Sequence, residues 1–131
     1  MKIKTSELTG AALDWAVAKC EEIPLLRVLR GHVAAPRLDD PMWCDYLEYS
    51  TDWAQGGPII DKERLTVAAE GDPRNPVWVS SLGYPVKVTW TTGEAMRFCS
   101  MRGPNPLIAA MRCYVASKLG DEVDVPEELT C

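Results

Sequence analysis

The sequence predicts an α+β domain: a small, mainly antiparallel sheet packed against an N-terminal and a C-terminal helix. Three observations carry this reading. Helical apolar spacing occurs near both ends of the chain, β-rich runs separated by turn residues occupy the middle, and 47% of the 131 residues are hydrophobic. A chain of this length falls in the size range of one domain and buries roughly two-thirds of its unfolded surface. Residues 1–131 are therefore expected to form one domain, with a globular core over 1–120 and an acidic tail over 121–131.

The first element lies within Thr5–Glu22, TSELTGAALDWAVAKCEE. Ser6 or Thr9 is positioned to cap it, and Leu8, Ala12, Trp15, Ala16 and Cys20 share one helical face. Asp14 is placed off that stripe. Ile23-Pro24 ends the helix, because proline disfavours helical geometry in the residue before it. From Leu25 to Glu48 the chain reads as a surface excursion. Leu25–Leu29 is a short strand or a further helical turn, and Gly31, Pro36 and Pro41 break any regular element. Trp43 and Tyr46 within it need cover from elsewhere.

The stretch Tyr49–Ile60, YSTDWAQGGPII, reads as a loop, followed by a short helical turn over Pro58–Arg64 with proline in its first position. Leu65–Ala69 is expected as a strand and Gly71–Pro76 as a turn. Val77–Ser80 and Val86–Thr91 are β-rich, Thr92-Gly93-Glu94 turns the chain, and Ala95–Met101 returns as a hairpin partner. The last helix spans about 107–119. Asn105 caps it, Pro106 takes the first position and Gly120 ends it. Leu107, Ile108, Met111, Tyr114, Val115 and Leu119 form its apolar stripe.

Charge and motifs narrow the function. The formal net charge is −5, and Asp121, Glu122, Asp124, Glu127 and Glu128 account for it, so the rest of the chain is electrically balanced. No basic stripe exists to displace counterions from a duplex, and no run approaches the roughly 20 apolar residues of a membrane helix. Binding to duplex nucleic acid or a membrane is not expected. No apolar run follows the opening MKIK, so no signal peptide is read. The five cysteines form no CxxC pair and are expected as reduced thiols, Cys131 exposed among them, which fits a cytoplasmic location. His32 is the sole histidine and reads as a surface residue. No metal site and no cofactor are expected, and no nucleophile elbow, phosphate loop or zincin motif argues for an enzyme.

Two loops are the candidate ligand site. Ser50, Thr51 and Asp52 can fix a turn, Trp53 offers a face for stacking, Gln55 a two-sided amide, and Gly56-Gly57 a close backbone approach. Asn105 begins a helix whose free amides attract anions, with Arg112 as charge partner. If the two loops meet, they suit a small anionic or nucleotide-like ligand. The alternative is an interaction module that meets a host or phage protein through Trp43, Tyr46 and the acidic tail. A homo-oligomer stays open.

The segments SELTGAALDWAVAKCE, YSTDWAQGGPII and PLIAAMRCYVASKLGDEVDVPEEL resemble, in this order, the NinX family of lambdoid phages and their prophages. The resemblance covers a little under half of the chain. It implies an accessory product of the phage nin region, acting in an infected or lysogenic bacterium, and it carries no catalytic residue. The expectation that follows is a non-enzymatic protein that counters host antiviral defence by sequestering a small nucleotide-type signal.

Overall fold

The computed structural model describes residues 1–37, 39–40, 42–87 and 94–129. Among the described residues its architecture is α+β, with three α-helices and antiparallel strand pairing throughout. Strand β1 spans Lys2–Lys4, helix α1 Gly10–Cys20, and strands β2, β3 and β4 span Arg27–Leu29, His32–Pro36 and Cys44–Tyr46. Helix α2 follows at Trp53–Glu63, then β5 at Thr66–Glu70, β6 at Val77–Lys87 and β7 at Glu94–Gly103. Helix α3 spans Pro106–Leu119 and β8 Glu122–Asp124.

The expected sheet is β5-β6-β7. Asp72 shapes its first turn, accepting from the Arg74 amide at 2.9 Å with its side chain and from the Asn75 amide at 2.9 Å with its carbonyl. The β6–β7 ladder runs from Trp78↔Gly103 to Lys87↔Glu94, so Val77–Ser80 is the start of one longer strand. Val88, Trp90, Thr91, Thr92 and Gly93 of the expected hairpin lie outside the described residues, as does Cys131.

Helix α3 packs on β6 and β7 on one side and on α1 and α2 on others. Every residue from Leu107 to Val115 is buried. A helix enclosed on several sides needs apolar residues all round, which explains why its stripe is wider than the spacing alone required. Leu13, Ala16 and Val17 of α1 join Leu107, Met111, Tyr114 and Val115 in the core. Asn105 and Gly120 occupy the expected caps, Asn105 accepting from the Ile108 amide at 2.9 Å.

Four expectations are corrected. Helix α1 begins only at Gly10. A 3-10 turn holds Thr5–Glu7, and Thr9 sits at the N-cap position without a side-chain bond. The excursion at Leu25–Glu48 contains the sheet β2-β3-β4, because Ala34↔Tyr46 and Arg27↔Ala34 pairing supplies partners the local sequence does not advertise. The loop before Pro58 is the first half of α2, with Pro58 inside the helix. Asp52 caps that helix by accepting from the Ala54 amide at 2.9 Å, which offsets its two glycines. Finally, Glu122–Asp124 is not a free acidic tail. It pairs with Lys2–Lys4, with Ile3 opposite Val123, and the chain buries Val123 and Val125.

Candidate functional site

The two loops meet. Ser50, Thr51 and Trp53 face Asn105, Pro106 and Leu107 across a recess of about 280 Å³. Trp53 is 54% exposed and opens α2, while Pro106 opens α3. The recess therefore lies between the starts of two helices. Trp53 belongs to the surface rather than the core.

Most of the other expected ligand residues build this recess instead of lining it with free groups. Ser50 is buried, and its amide donates to Asp14 Oδ1 at 2.8 Å. Asp52 caps α2 and also accepts from Gln55 Nε2 at 3.2 Å. Gln55 Oε1 accepts from the Glu48 amide at 2.9 Å, and its Nε2 reaches the Tyr46 carbonyl at 3.4 Å. This amide ties α2 back to the segment that follows β4. Gly56 packs so closely on the Tyr49 carbonyl and the Leu107 side chain that a Cβ would collide with both. Gly57 faces the Trp53 ring with ordinary space to spare. Asn105 is spent on its cap. Thr51 is exposed and remains on the rim.

Arg112 is not brought to Trp53. It is 9% exposed, with Nε donating to the Leu8 carbonyl and Nη1 to the Arg102 carbonyl, both at 2.8 Å. It lines a separate cavity with Arg102, Gly103 and Pro104. Burial lowers the pKa of its guanidinium.

A further cluster escaped the sequence reading. Asp14, His32, Glu48 and Glu128 line a cleft of about 530 Å³ together with Thr9 and Thr51. Asp14 is only 6% exposed, and burial pushes its carboxyl up to about 6, opposed by its bonds to Ser50 and by His32 and reinforced by Glu48. The signal was present: the neighbours of Asp14 three and four positions away on α1 are Gly10, Ala11, Val17 and Ala18, all non-polar. His32 itself is exposed and stacks edge-on with Tyr46, ring centroids 5.6 Å apart.

The chain is thus a small α+β protein with a recess at two helix starts, and among the described residues no helix is long and apolar enough to cross a membrane. Residues 4–118 match the family described as "Bacteriophage P22, NinX", and the chain belongs to that family of phage accessory proteins. Among curated proteins no match is found.

Proposed function

We propose that the protein acts in the cytoplasm of the infected bacterium as a non-enzymatic factor that counters host antiviral defence, binding and sequestering a small nucleotide-type signal. The observation that carries this reading is the exposed Trp53 ring beside the start of α3, in one recess with Thr51, Asn105 and Pro106. Stacking of a base on an aromatic face is worth about 1–3 kcal/mol, and helix starts favour anionic groups. A recess of about 280 Å³ accommodates a base or a phosphate, with the rest of the ligand lying across the rim.

The test is a thermal-shift titration against nucleotides, cyclic dinucleotides and ADP-ribose derivatives. A ligand that binds only the native state stabilises it by about 2.7 kcal/mol at a hundred times its Kd. Trp53→Ala is expected to abolish the shift while leaving the melting temperature of the free protein nearly unchanged, since the ring is half exposed. A ligand recovered chemically altered would convert the reading to an enzyme. A variant that unfolds would make Trp53 structural.

A second reading is favoured by a different observation. Met42 and Trp43 are 92% and 63% exposed and Tyr46 is exposed beside them in sequence, an aromatic-rich composition typical of binding hot spots. The corresponding function is docking of a host or phage protein. Capture of one host protein that is lost on Trp43→Ser and kept on Trp53→Ala, with no shift from any nucleotide, would replace the first reading.

A further inference from the structure

We infer a second ligand site, independent of the Trp53 recess, that takes a phosphate-type oxyanion in the cavity between the start of β6 and the end of β7. The cavity measures about 440 Å³, and its polar lining comprises Ser6, Asn75, Arg102 and Arg112.

The argument starts from Arg112. The residue is 9% exposed, yet the partners of its guanidinium are two neutral carbonyls, those of Leu8 and Arg102. Among the described residues no carboxylate lies within ion-pair distance of it, and burial is the sole cause that lowers its pKa. A buried charge without a counter-ion is costly, and truncating or pairing it changes binding and folding strongly. Two of its nitrogens are held and the third, Nη2, donates to no described group, while the residue lines the cavity. The two carbonyl bonds fix the fork, so this last nitrogen is pre-positioned at no further entropic cost.

Arg102 supplies the second cation. Its Nη2 stands 3.6 Å from Glu70 Oε2, with both side chains more than half exposed. An exposed pair of this kind contributes little and is readily exchanged for a better partner. Ser6, in the 3-10 turn, and Asn75, in the β5–β6 turn, add a hydroxyl and an amide to the lining. Two guanidinium groups plus neutral donors match the several acceptor oxygens of a phosphate better than the two of a carboxylate. The volume exceeds that of a free phosphate ion and fits a phosphorylated small molecule.

The experiment uses the full chain and three probes: inorganic phosphate, pyrophosphate and ribose 5-phosphate, titrated by calorimetry at constant ionic strength set with chloride. Saturable binding is expected, weakened about tenfold or more in Arg102→Gln, and unchanged in Trp53→Ala. Arg112→Lys keeps the charge but loses the fork, and is expected to bind at least tenfold more weakly where its melting curve shows a folded protein. Ser6→Ala, away from the core charge, gives a weaker loss in a variant that folds. Equal heats in wild type and Arg102→Gln, or no saturation above the chloride background, would overturn the site. Loss of phosphate binding in Trp53→Ala would also overturn it, by assigning the anion to the other recess.

Discussion

Asp14 Oδ1 accepts the Ser50 amide proton at 2.8 Å, joining the middle of α1 to the segment that enters α2. The carboxyl is buried, and its pKa stands at about 6 against a reference of 3.8. Since the folded value is the higher one, the native protein holds this proton between those values when the unfolded chain does not. Its contribution to stability is complete below pH 3.8 and is lost as pH rises through about 6. The difference is on the order of 3 kcal/mol at most. Asp14→Asn imitates the protonated form and is expected to flatten the fall in melting temperature between pH 4 and 6, while losing no stability at pH 7.5. Glu48 and His32 face the same carboxyl, and parallel wild-type and variant profiles would show that the slope does not come from Asp14.

Neighbouring glycines of α2 should respond to alanine with opposite signs. At Gly56 the added methyl meets the Tyr49 carbonyl and Leu107, and about 1–3 kcal/mol of destabilisation is expected in urea denaturation. At Gly57 it meets the Trp53 ring at 3.8 Å, an ordinary contact. The helix then gains about 0.5–1 kcal/mol from the better helix former. Equal effects at both positions would contradict the close approach of α2 to α3.

Tyr114 donates its hydroxyl to Glu21 Oε2 at 2.9 Å, and Lys62 meets the same oxygen at 2.9 Å. Tyr114 is buried, whereas the Lys62 side chain is 56% exposed. Tyr114→Phe is therefore expected to cost about 1.5 kcal/mol, and Lys62→Met well under 1 kcal/mol. Chemical denaturation of both variants checks the order, and a larger loss at Lys62 would reverse the assignment of the stabilising contact.

Burial pushes the Cys20 and Cys113 thiols up to about 12. The thiolate is the reactive form, so both should resist alkylation by iodoacetamide at pH 7.5 until denaturant is added. Mass spectrometry of native and unfolded samples reads this directly. Rapid native labelling of Cys113 would mean that α3 separates readily from β7, where the Cys113 thiol meets the Cys99 carbonyl at 3.4 Å.

Local signals read well where local chemistry decides. Asn105, Pro106 and Gly120 bracket α3 because caps and first-turn prolines act within a few residues. The meeting of Ser50–Trp53 with Asn105–Leu107 was legible only as a condition, since nothing in a sequence measures the distance between two loops. Propensity reads Tyr49 through Gly57 as a loop with a helical turn starting only at Pro58, and tertiary context overrides it by starting α2 at Trp53. Gly56 is demanded by the close approach of the Tyr49 carbonyl and Leu107, and Asp52 and Gln55 hold the first turn.

By itself the sequence determined the α+β class, the extent of α3, the turn at Gly71–Pro76 and the absence of a basic stripe. These depend on periodicity, caps and counted charge. Tertiary structure alone decided that Glu122–Asp124 joins Lys2–Lys4, that Asp14 is buried and that Arg112 turns away from Trp53. Each of these rests on a partner far along the chain. The Leu8 carbonyl that holds Arg112 is 104 residues away, a separation no local pattern encodes.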